Sequence, residues 1–167
     1  PIVLPIEFIG DEAKIKSSSL SQLKDFEAAI QIYKPLLSGK HSSDFLQRNR
    51  IGIAYAYFSV KEFTNANTYF KTYVDQLKAN PTGKANANAL LRLADTYLVA
   101  KNYSEALTYY NQALENIKTE KDYALYQKGI TLVYLERDAE AKATFQLLKK
   151  SYPNTKFGDD ASFQENL

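Results

Sequence analysis

Residues 89–113 read ALLRLADTYLVAKNYSEALTYYNQA, and the rest of the chain repeats this stretch with variations. Leu90, Leu93, Ala94 and Tyr97 stand at i, i+3, i+4 and i+7, one apolar stripe on a helix. Lys101-Asn102 breaks the pattern, and Tyr103, Ala106, Tyr110 and Ala113 then form a second stripe of the same period. Two helices with a short break between them make a hairpin, and neither can bury its stripe alone.

Working outward, the same pairing recurs. The spacing predicts helices over Asp44–Val60 and Glu62–Leu77, the second with Phe63, Ala66, Phe70 and Tyr73 at i, i+3, i+7 and i+10. It predicts another pair over Tyr123–Leu135 and Ala139–Ser151, closed by Tyr152-Pro153-Asn154. Ser43 or Asp44 is the expected cap of the Asp44 helix, and Thr119 with Asp122 resembles a capping box. Asn80-Pro81-Thr82-Gly83 is a turn by its chemistry. Near the start, Asp25–Lys34 is a helix with Phe26, Ala29, Ile30 and Tyr33 on one side, expected to kink or stop at Pro35. Asp11–Lys24 carries a weaker pattern, interrupted by Ser17-Ser18-Ser19. Residues 1–10, with Pro1 and Pro5, read as an extended arm, and Gly158–Leu167 begins a further or capping helix.

The alanines of the second helices, Ala29, Ala66, Ala106 and Ala141, are 37, 40 and 35 residues apart. An aromatic ring follows each by four residues, at Tyr33, Phe70, Tyr110 and Phe145. Ala54, Ala94 and Gly129 occupy one slot of the first helices, where a small side chain lets helix axes approach to roughly 8–10 Å. A recurring unit of this length means a stack of helical hairpins.

These positions resemble the tetratricopeptide repeat family over residues 11–153, with Pro153 at the family's closing proline. The resemblance implies an all-α, right-handed superhelix of antiparallel helix pairs, with four hairpins. The first is imperfect, because Lys16 and Ser17 sit where the family prefers a large apolar and a small residue. In that family the first helices line a concave groove. Carried onto this chain, the groove residues are Arg48, Ile51, Tyr55 and Phe58, then Asn88, Leu91, Asp95, Leu98 and Val99, then Tyr123, Tyr126, Ile130, Val133 and Tyr134. This tyrosine-rich, charge-poor lining fits a protein or peptide partner; the alternative is that some of its rings pack against the next unit or a capping helix. The carboxylate clamp of chaperone-binding members is not expected: Lys14 and Arg92 match it, but Ser18, Gly52 and Asn88 replace its other residues. A second, shorter resemblance, of YPNTKFGDDA at Tyr152–Ala161 to links in bacterial envelope repeat proteins, implies a periplasmic or cell-envelope location.

Composition narrows the function classes. The chain has 167 residues, 45% hydrophobic and 24% charged, which is enough apolar material to fold. Residues 1–80 carry ten basic and eight acidic groups and residues 81–167 eleven of each, so there is no polybasic arm for nucleic acid. Without Cys there is no disulfide, thiolate site or cysteine nucleophile. No apolar run approaches the ~20 residues of a membrane span. The lack of Met, even at position 1, reads as a processed or excised piece of a longer product.

Little points to catalysis. Gly39-Lys40 and Gly83-Lys84 lack the rest of a phosphate loop. His41, the only histidine, reads as solvated in a loop. Asp159-Asp160 favours a helix N-terminus better than it would hold a cation, since adjacent helical residues face apart. Asn102-Tyr103-Ser104 matches a glycosylation acceptor but reads as a hairpin turn. Glu105, Glu115, Asp138 and Glu140 fall on solvated faces. The expected function is therefore a non-catalytic interaction scaffold without cofactor or metal. The alternative is a structural segment of a longer array that self-associates or packs along the chain.

Overall fold

The computed structural model describes residues 19–78 and 86–166, which fall into two compact units divided after Ala85. The first contains α1 (Ser19–Leu36), α2 (Ser43–Ser59) and α3 (Phe63–Lys78). The second contains α4 (Ala87–Val99), α5 (Tyr103–Asn116), α6 (Lys121–Tyr134), α7 (Asp138–Ser151) and α8 (Gly158–Glu165). The described residues are all-α. The arm at 1–10, the first helix of the first hairpin up to residue 18, the turn at Asn80–Gly83, and the clamp positions Lys14 and Ser18 lie outside the described residues.

In the first unit α2 packs between α1 and α3. Helix α1 runs unbroken through Lys24-Asp25, where the sequence pattern separated two segments. Pro35 falls in its last turn and the helix ends one residue later, with Ser38 Oγ donating to the Pro35 carbonyl at 2.7 Å. Gly52 makes the α1–α2 approach possible, since a Cβ there would lie 3.2 Å from the Tyr33 ring. Across α2 and α3, Ala54, Ala66, Phe70 and Val74 are fully buried, and Tyr57 stacks on Tyr69 at 5.6 Å. The cap of α2 is Ser42, not Ser43 or Asp44. Its extended backbone (φ −61°, ψ 153°) lets Oγ accept from the Phe45 N–H at 3.3 Å.

In the second unit α4 pairs with α5 and α6 with α7, α5 packs on α6, and α7 on α8. Helix α4 touches α6 and α6 touches α8, so these three form one layer. Ala94 and Ala106 are fully buried, and Tyr97 stacks on Tyr109 at 5.5 Å, repeating the Tyr57–Tyr69 contact. In the next hairpin Gly129 takes the small position, and a Cβ there would come within 2.4 Å of the Phe145 ring. Leu132, Phe145, Leu148 and Ala161 close this core. Burial of each large side chain contributes about 1.5–3 kcal/mol.

The helix ends inside the hairpins are alike. Lys61, Lys101 and Glu136 take left-handed backbone angles (φ 63°, 59° and 57°). The next residue's N–H then reaches back to the carbonyl of Tyr57, Tyr97 or Leu132 at 2.9 Å. This is the Schellman closure, made here without glycine.

The Thr119–Asp122 box does not form. Glu120 is the N-cap residue of α6, left-handed at φ 58° and ψ 26°, and no side chain caps it. Asp122 instead accepts from Thr155 Oγ1 at 2.7 Å, tying the start of α6 to the α7–α8 connection.

Candidate partner-binding surface

The structure divides the expected lining into buried and accessible residues. Ile51, Tyr55 and Phe58 on α2 are buried, at 8%, 1% and 3% exposure. The Tyr55 ring meets Phe70 edge-on at 5.0 Å, and Phe58 meets Phe63 and Phe70 at 5.3 and 6.3 Å. These three pack inside the first unit, while Arg48, earlier on α2, is exposed. On α4, Leu91 and Asp95 are likewise buried, whereas Asn88 and Leu98 are partly exposed and Val99 is exposed. On α6, Tyr123, Tyr126, Ile130 and Val133 are half-buried and Tyr134 is 58% exposed. Tyr134 lies flat on Tyr103 of α5, with centroids 4.7 Å apart.

Asp95 is buried because it belongs to a charged network inside the second unit. Arg92, at 1% exposure, donates to Asp95 Oδ2 at 3.1 Å and to both Glu120 oxygens at 2.6 and 2.8 Å. Tyr110 donates its hydroxyl to Asp95 Oδ1 at 2.6 Å. The guanidinium stands over the Tyr123 ring, 5.5 Å from its centroid, and the Tyr123 hydroxyl accepts from Gln127 at 3.1 Å. The left-handed turn at Glu120 brings its carboxylate to Arg92, and forming two charge-assisted bonds offsets a backbone cost of about 1–2 kcal/mol.

The titrations follow from this arrangement. Burial opposes the charged guanidinium, but Asp95 and Glu120 outweigh it and hold Arg92 above the usual arginine range. Burial pushes the Asp95 carboxyl up, while Arg92 and the Tyr110 hydroxyl pull the other way. Burial first and Asp95 second raise both Tyr110 and Tyr123. Arg92, one of the two clamp matches, is thus enclosed by its own unit.

Beside the network lies an aromatic cluster. Phe157, just before α8, stacks on Tyr126 (4.9 Å, 16°) and leans on Tyr123 at 5.8 Å. Lys156 Nζ is 5.1 Å from the Phe157 centroid. Burial raises the Tyr126 phenol, and the charge of the Asp160 carboxylate raises it further. Phe157 and Asp160 were absent from the expected lining because it ended with the fourth hairpin. Phe157 follows Tyr123 by 34 residues, one repeat period, so carrying the register once more would have reached it.

Two family models match, each described as a tetratricopeptide repeat, over residues 87–119 and 123–155. The fold is similar to the solved structure of YrrB, described as a TPR protein with an unusual peptide-binding site. The TM-score is 0.70 at 20% identity, over 87% of this chain and 69% of that one, a likeness of fold. No curated protein matches the chain.

Proposed function

Since the chain is a tetratricopeptide repeat protein, a family whose members are generally non-catalytic scaffolds for protein–protein interaction, we propose that its second unit holds a segment of a protein partner against the α4–α6–α8 layer. The contacts are Asn88, Leu98, Tyr123, Tyr126, Ile130 and Tyr134. The observation that carries this reading is the row of tyrosines on α6, left half-buried or exposed while their neighbours Leu125 and Leu132 are buried. Tyrosine combines a large contact area with a polar tip and few rotatable bonds, which suits binding with a small ordering cost. YrrB, described as binding peptide, supports a peptide segment as the occupant.

Random peptides displayed on phage and selected on the purified protein test this. Selected peptides should lose binding to Tyr126→Ala and Tyr134→Ala, with helicity unchanged by circular dichroism. They should keep binding to Gln146→Ala, an exposed position on α7. Peptides indifferent to both tyrosines would overturn the reading.

A second reading, self-association, is favoured by Leu147 on α7 and Phe163 on α8, which are 51% and 63% exposed. Sedimentation should then show a dimer that Leu147→Ser with Phe163→Ser converts to monomer. A wild-type monomer at high concentration would eliminate it.

A further inference from the structure

Resting on the scaffold reading above, we infer that the Phe157 ring is the seat of a cationic side chain, arginine or lysine, in the bound segment, and that Lys156 holds this seat in the free protein. Phe157 stacks on Tyr126, and the Lys156 ammonium lies over the same ring at 5.1 Å. An ammonium or guanidinium is drawn to a ring face by its quadrupole, and arginine adds planar stacking. The chain has therefore built one cation–aromatic contact here from its own exposed lysine. Lys156 sits in the α7–α8 connection, so its side chain can leave without unpacking a helix.

The surrounding charge selects the same occupant. Asp160 is exposed, and its carboxylate acts on the Tyr126 phenol and raises its titration. Asp122 faces the connection through Thr155. Against these two carboxylates stands Lys156, while Arg92 is already matched by Asp95 and Glu120. Once Lys156 swings away, Asp122 at Thr155 and Asp160 by Tyr126 remain, and they favour an incoming cation and repel an acidic segment.

The probe is the peptide acetyl-Gly-Arg-Gly-Ser-Arg-amide, titrated into the whole chain while the Phe157 and Tyr126 ring resonances are followed by NMR. Counterparts with glutamate or norleucine in place of arginine are the controls. The arginine peptide should shift both rings saturably, and the controls should not. Lys156→Ala should tighten binding about twofold to fivefold by removing the resident cation. Phe157→Leu, which keeps apolar bulk against Tyr126, should abolish the preference for arginine over norleucine, and Asp160→Asn should weaken arginine binding. Equal binding of the norleucine peptide, or weaker binding by Lys156→Ala, would overturn the inference. If the phage-selected peptides still depend on Tyr126 and Tyr134, the scaffold reading survives that failure.

Discussion

Arg92 and Glu120, 28 residues apart in sequence, are joined by two hydrogen bonds of 2.6 and 2.8 Å, and the same guanidinium bonds Asp95 at 3.1 Å. One buried cation thus links α4 to the α5–α6 connection. Arg92→Met leaves the Asp95 carboxylate buried without its cation, and should cost about 3–5 kcal/mol in urea unfolding. Adding Asp95→Asn should recover part of that loss, because the stranded charge is gone. Glu120 is about one-third exposed, so Glu120→Gln should cost only about 0–1 kcal/mol. Strictly additive losses in the Arg92 and Asp95 double variant would show that the two residues are not coupled.

Gly129→Ala sets two effects against each other. Alanine gains about 1 kcal/mol of helix propensity over glycine. Its Cβ would lie 2.4 Å from the Phe145 ring, which is fully buried. Overpacking of this kind costs about 1–3 kcal/mol, so the variant should be less stable than the parent. Phe145→Leu in the same chain should relieve the clash, and a stabilised Gly129→Ala would show that the ring moves freely.

The helices and their close contacts were legible because both follow from the 3.6-residue period: Ala94, Ala106 and Gly129 appear in the sequence as small residues and in the structure as contact points. The depth of the lining was not. Register assigns a face, and Tyr55, Leu91 and Asp95 keep that register, yet burial depends on what lies above the face. Asp95 looked like a polar contact because its partners sit elsewhere in the sequence, Tyr110 on α5 and Arg92 one turn earlier. The Thr119–Asp122 capping pattern failed for a related reason. Glu120 adopts a left-handed conformation to reach Arg92, and Asp122 is drawn to Thr155.

The hairpin turns predict a gain. Lys101 is exposed and left-handed, at φ 59°. A non-glycine residue there costs about 1–2 kcal/mol, whereas glycine costs roughly 0.5–1 kcal/mol in unfolded-chain entropy. Lys101→Gly should therefore stabilise the protein by up to about 1 kcal/mol, and Lys101→Val should destabilise it. Lys61→Gly and Glu136→Gly should behave alike, since their turns close with the same bonds. Thermal melts without a rise at any of the three sites would contradict this.

Alkaline pH should act through Tyr110. Its folded titration lies above the ordinary tyrosine value of about 10, because burial and then Asp95 oppose the phenolate. The unfolded chain therefore releases this proton first as pH rises. The stabilising contribution is complete below pH ~10 and falls above it, by about 1.4 kcal/mol per pH unit, until the folded tyrosine itself ionises. Tyr123 is raised with the same causes in the same order and should add to the slope. Tyr110→Phe leaves an Asp95 oxygen without its 2.6 Å partner, so it should cost about 1–3 kcal/mol at neutral pH. The same variant should lose stability less steeply above pH ~10, because one protected phenol is gone. Urea unfolding of both proteins across the alkaline range separates the two effects: parallel curves would mean that Tyr110 ionises in the folded chain as readily as in the unfolded one.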